Sequence, residues 1–227
     1  MPTITGIVPS VDRPGYVVIL VDGAPFATVP ASAVDRLSLG EGDDAASASA
    51  LAPMDKETQA VYERALNLLS YRARSATDMT RKLIEKGATA GQSAAAVARL
   101  VANGLLDDPK YAESVARSKM VGGARSSRRV KQDLARKGVD ASTAAAAVAR
   151  VLTDEGTSDL AQAERAAAKK ARTLARLDPP ERRKKLYAFL ARQGFAFDVV
   201  KRAVEKLEGR ARDEDAEIVD DDPNETG

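Results

Sequence analysis

Asp107 and Asp108 stand side by side ahead of Pro109, a carboxylate pair within the repeat region and the place where acid/base or metal chemistry first suggests itself. Such chemistry needs a third ligand or a proton-shuttling partner close by. The 227-residue chain has no Cys and no His, which removes thiolate nucleophiles, imidazole catalysis, disulfides and the usual zinc ligands together. An aspartate directly before a proline is also a helix N-cap followed by the residue best suited to the first helical position, and Asp108 is read that way. No catalytic, cofactor-binding or metal-ligating residue is assigned and no cofactor is expected; only an all-carboxylate metal site stays open.

The remaining chemistry is ionic. Residues 1–56 carry 3 basic and 7 acidic side chains, residues 57–208 carry 30 and 18, and residues 209–227 carry 2 and 8. A central region of +12 between acidic flanks suits phosphates or an acidic protein surface. For any one lysine or arginine, solvation of an Ala-rich helix explains the charge equally well, so the case for binding rests on repetition. Arg128 and Arg129 share their register with Lys184 and Lys185, Arg136 shares it with Arg192, and Arg81 and Lys82 lie at a nearby position. Arg165, Lys169, Arg172 and Arg176 are spaced to share one helix face. From charge and register the candidate contacts to a partner or to DNA are Arg72, Arg74, Arg117, Lys119, Arg128, Arg129, Lys131, Lys184 and Lys185.

The register comes from an internal repeat. Gly87, Gly138 and Gly194 are 51 and 56 residues apart, and each has apolar residues eight and four positions before it and ten and thirteen after it. These are Met79, Leu83, Val97 and Leu100; Val130, Leu134, Val148 and Val151; and Leu186, Leu190, Val204 and Leu207. Apolar residues four apart mark one helix face, and glycine ends the helix by entering the left-handed conformation without steric cost. With the helix that precedes it, each unit is three helices. Ser75 with Asp78 and Thr89 with Gln92 read as capping boxes, Ser126 or Ser127 and Asp140 as further caps, and Asp178-Pro179-Pro180 as a cap-and-proline start. The first helix of the third unit is expected to run through about Leu177.

The flanks differ in kind. Ile4 to Val8, Tyr16 to Val21 and Pro25 to Val29 are short and β-branched, with Asp22-Gly23 as a hairpin signal, and Gly40 to Ala50 reads as a loop or linker. The expected organisation is a small N-terminal β segment and linker (1–52), three-helix repeats at 53–106, 107–157 and 158–208, and a disordered acidic tail (209–227). No apolar run reaches the roughly 18 residues of a membrane span and no signal-peptide layout opens the chain, so a soluble, cytoplasmic monomer is expected.

Four stretches together resemble the RecX family of bacterial recombinase regulators. They are ALNLLSYRARS (Ala65 to Ser75), GLLDD with Tyr111-Ala112 (from Gly104), RRVKQDLARKGV (Arg128 to Val139) and FLARQGF (Phe189 to Phe195). The resemblance spans about residues 57–208 and implies a mainly α fold of tandem three-helix bundles in an elongated, curved array. It also implies binding to the RecA recombinase and its filament on single-stranded DNA, restraining ATP hydrolysis, strand exchange and the coprotease activity behind the SOS response. Double-stranded DNA is left open as a second nucleic-acid partner. The competing reading is a recombinase-independent DNA-binding protein with modules resembling helix-turn-helix units. Against it, the third helices are dominated by Ala and Val and offer few groups for base edges. An enzyme is the weakest reading, because the carboxylate pair has a capping role available.

Overall fold

The computed structural model describes residues 1–219, with side chains as far as residue 209. The chain forms three strands, β1 (Ile4–Pro9), β2 (Tyr16–Val21) and β3 (Ala24–Pro30), then the short α1 (Ala31–Leu37) and a 3-10 helix (Ala45–Leu51). Nine helices follow: α2 (Lys56–Tyr71), α3 (Ala76–Glu85), α4 (Ala90–Ala102), α5 (Asp108–Arg117), α6 (Ser127–Arg136), α7 (Ala141–Asp154), α8 (Asp159–Arg172), α9 (Pro179–Arg192) and α10 (Phe197–Val219). A π-helical turn, Ser118–Gly122, prolongs α5. The fold is mainly α, in three-helix repeats behind a small antiparallel sheet of order β1-β2-β3.

Contacts divide the chain into two compact units: residues 1–111 with Lys137–Val139, and residues 112–136 with the chain from Asp140 onward. In the first unit, Ile7 faces Ile19 and Ile19 faces Ala27 across the meander, and Asp22 and Gly23 make its tight turn at positive φ. Ile4, Ile19 and Val29 pack with Ala33, Val34, Leu39, Ala48, Leu51 and Ala102 of α4. Gly40 to Ala50 is therefore no free linker. Asp44 accepts from the Ala46 amide at 2.9 Å to start the 3-10 helix, whose Ala45, Ala48 and Leu51 recur on one buried side. Two arginines fasten α4 to the chain before it: Arg99 Nε donates to Ala50 O of this segment at 2.7 Å, and Arg36 Nε of α1 donates to Ala102 O at 3.1 Å. The latter occupies a carbonyl that the helix end leaves without an intrahelical partner.

The repeat arithmetic translates into burial. All the residues named at the four offsets from the three glycines are buried, except Leu207, which is half-buried. The caps form where the sequence places them: Ser75 takes the Asp78 amide at 3.1 Å, Thr89 and Gln92 make a reciprocal box, and Ser126 and Asp140 take the amides of Arg129 and Thr143. Some local expectations fail. Asp78 turns its carboxylate to arginines instead of closing a capping box. Asp178, ahead of Pro179 and Pro180, makes no side-chain cap bond. Helix α8 stops at Arg172, five residues early, where Leu174 folds back onto the core and takes Arg176 off the expected helical face. Helix α10 continues through Val219, so the start of the acidic tail is helical; residues 220–227 lie outside the described residues.

Candidate functional site

Five of the nine candidate cations lie on α6 and α9, the second helices of the later repeats, and one joint recurs at the starts of α3 and α6. In the first unit, the Ala76 amide donates to Asp108 Oδ1 at 2.8 Å, Thr77 Oγ1 donates to Gly138 O at 2.9 Å, and the Ser75 hydroxyl donates to Lys137 O. In the second unit, Ser127 N and Oγ donate to Asp159 Oδ1 at 2.9 and 2.8 Å, and Ser126 N donates to Gln193 O at 3.2 Å. Each aspartate lies 32 residues beyond its amide. At Gly138 and Gly194 the joint requires glycine as much as the left-handed turn does. A Cβ on Gly138 would overlap the Thr77 side chain, and one on Gly194 would lie 2.7 Å from Arg129 Cβ. Asp108 is thus a cap, but not of its own helix: Asp107 caps α5, taking the Lys110 amide at 2.9 Å, while Asp108 caps α3.

Around α3, the buried Asp78 gathers three arginines: Arg74 Nη1 at 2.7 Å, Arg81 Nη2 at 2.5 Å and Arg72 Nη2 at 3.8 Å. Burial pushes the Asp78 carboxyl up, but the hydrogen bonds and charges of Arg74 and Arg81 outweigh it and hold the group below the usual carboxylate range. Tyr111 is half-buried beside the same groups, and burial together with the Asp78 charge pushes its phenol up. Around α6, the buried Asp133 meets Lys119 Nζ at 3.0 Å, Arg125 Nη1 at 2.5 Å and Arg129 Nε at 3.8 Å, with Arg136 also bonded to it. Burial again raises the carboxyl while Lys119, Arg125 and Arg136 pull it down, with a net lowering.

One carboxylate cannot neutralise three or four cations. Counting only the named groups, the Asp78 cluster keeps a surplus of two positive charges and the Asp133 cluster a surplus of three. Each Asp fixes long side chains that would otherwise lose rotamer freedom on binding a phosphate, and leaves them electropositive.

Of the candidates chosen from sequence, Arg72 and Arg74 join the first cluster, and Lys119 and Arg129 join the second. Arg128, Lys131 and Lys184 are exposed with no ionic partner among the described residues. Lys185 pairs with Glu181 at 2.8 Å across one helical turn. Arg117 belongs to neither cluster: it bonds Asp154 at 3.0 Å and Glu155 at 2.7 Å, tying α5 to the end of α7. Sequence reasoning missed the two organising aspartates and Arg125. Their signal was present as acids at core positions, Asp78 beside Met79, and Asp133 between Val130 and Leu134. In the third repeat several cations are tied to acids and rings: Arg183 pairs with Glu208 at 2.7 Å and lies over Tyr187, Lys206 pairs with Glu164 at 2.6 Å, and Lys170 lies over Phe189.

Comparison with known proteins decides the family. Residues 62–100, 107–148 and 157–204 match the models of the first, second and third three-helix domains of RecX. A regulatory protein RecX of Chlorobium limicola is 32% identical over 157 residues, which cover 69% of this chain and 94% of that protein. The chain belongs to the RecX family. A RecX of Trichlorobacter lovleyi is likewise 32% identical, over 64% of this chain and 94% of its own length. A RecX crystal structure at 24% identity superposes with a TM-score of 0.54 over 88% of this chain and 98% of that one, showing the same fold. The RecX proteins so matched carry the name of regulators. No helix among the described residues is long and apolar enough to cross a membrane, and no group of three or more Asp or Glu there could hold a metal ion.

Proposed function

We propose that this chain binds the RecA recombinase filament on single-stranded DNA in the bacterial cytoplasm and restrains its ATPase, strand-exchange and coprotease activities, with no catalysis of its own. The observation that carries the reading is the pair of cation clusters, each held open by one buried aspartate and each left with surplus positive charge. Arg72, Lys119, Arg128, Arg129 and Lys131, with Lys184 of α9, are the contacts to phosphates or to acidic filament surface. Arg74 and Arg117 instead hold structure. A recombinase-independent duplex reader is less well supported, since the exposed positions of α7 include Ala145, Ala146 and Ala149, which cannot reach base edges. The test is ATP hydrolysis by the cognate recombinase on single-stranded DNA, with this protein added below the amount that coats the strand. Substoichiometric inhibition, reduced by the charge reversal Arg128→Glu/Arg129→Glu, is the expected result. Inhibition only at saturation of the DNA would point to simple competition for the strand.

A further inference from the structure

Tyr71 ends α2 with its side chain in water, 85% exposed, although the chain has only five tyrosines, four phenylalanines and no tryptophan. Folding does not use this ring: α2 has already given Val61 and Ala65 to the core, with Leu68 and Leu69 packed against it. The residue after it is Arg72, whose guanidinium reaches Asp78, and Arg72 and Arg81 are both more than half exposed on the rim of that cluster. A second observation marks the same place. Arg74 is 8% exposed, gives one nitrogen to Asp78, and leaves its buried Nε without an acceptor among the described residues. A buried donor left unpaired is costly, and it shows that the cluster holds more N–H donors than its one carboxylate accepts, with those of Arg72 and Arg81 open to water.

We propose that this rim is a stacking site for an unpaired nucleobase, in which the Tyr71 ring takes the base face and Arg72 and Arg81 take the flanking phosphates. The ligand must be anionic and must present a flat apolar face. A single strand of nucleic acid offers both at every nucleotide, a duplex hides its base faces, and an acidic peptide supplies charge alone. The inference rests on the nucleic-acid part of the function proposed above and names the form of DNA that the first repeat selects. The test uses the full chain at fixed salt and measures binding to a labelled thymidine oligonucleotide, an abasic strand of equal length and a duplex. Tyr71→Ala is expected to weaken thymidine-strand binding about tenfold, or about 1.4 kcal/mol. The same variant should leave the abasic strand and the duplex unchanged, and Tyr71→Phe should retain wild-type affinity. Equal losses on all three ligands, or no loss on the thymidine strand, would overturn the stacking site alone. Unchanged DNA affinity with weaker inhibition of RecA ATP hydrolysis would also overturn it, by moving Tyr71 to the recombinase contact. Failure of the wild-type chain to bind the thymidine strand would remove the nucleic-acid part of the functional reading, and this inference with it.

Discussion

The first and second repeats are built on the same offsets, yet their buried aspartates sit at opposite ends of corresponding helices. Asp78 is the third residue of α3, where the helix dipole favours negative charge and the Ser75 cap orders the turn. Asp133 opens the last turn of α6, where the dipole opposes it, and it is surrounded by four cations instead of three. The partners differ too. Arg74 is buried with Asp78, whereas the cations around Asp133 are exposed from 28% for Lys119 to 63% for Arg136. The same device therefore serves two ends: in the first repeat it locks a buried ion pair with two arginines at its rim, and in the second it arrays cations on the surface.

The largest expected effect tests that division. Asp78→Ala strands the Arg74 charge in the interior, and a loss of about 3 kcal/mol in urea unfolding is expected. Asp133→Ala lets its cations turn to water and should cost about 1–2 kcal/mol. Equal costs, or the reverse order, would break the comparison. Acid sharpens it. Both carboxyls are held below their ordinary value, so the stability they contribute is complete above the unfolded value of about 3.9 and is lost as pH falls through the lower folded value. Each alanine variant should flatten its share of the acid limb below about pH 4 and leave neutral pH titration untouched.

Next in size is a contrast between glycines. Gly87 and Gly138 both end their helices at positive φ, but nothing lies within 4 Å of where a Cβ on Gly87 would stand, whereas Gly138 abuts Thr77. Gly87→Ala should cost about 1–2 kcal/mol for the backbone conformation alone. Gly138→Ala should add about 1–3 kcal/mol of overpacking at the joint. The paired variant Thr77→Ala/Gly138→Ala should recover part of that increment; a cost at Gly138 no greater than at Gly87 would show that the joint yields freely.

The apolar periodicity made the repeat legible, because four offsets from each glycine specify one seam and burial follows from it. The caps were legible for a similar reason: Ser75, Thr89 and Asp140 bond amides three residues away in their own chain segment. What escaped was non-local. Asp108 looked like the cap of the helix that it begins, since nothing in its neighbourhood reveals that Ala76, 32 residues earlier, presents the amide it takes. The linker reading of Gly40 to Ala50 failed on the same ground, as small residues leave a loop and a tightly docked 3-10 helix with similar composition. Cations gave charge and register but not pairing, so Arg117 and Arg128 looked alike until their neighbours were known.

That pair supplies the smallest expected effect and tests whether an unpaired cation counts for more than a paired one. Arg117 spends its guanidinium on Asp154 and Glu155, each partly exposed, in an arrangement that contributes below about 1 kcal/mol at the surface. Arg128 lies on the exposed side of α6, where nothing among the described residues answers its charge. If surplus charge, and not charge as such, attracts phosphate, Arg117→Gln should leave single-strand affinity and its salt dependence as they are. Arg128→Gln should lower the slope of log affinity against log salt by about 0.7, the value for one phosphate contact on a single strand. Equal slope changes for the two would mean that net charge alone sets the affinity, and that pairing with an acid does not withdraw a cation from the phosphates.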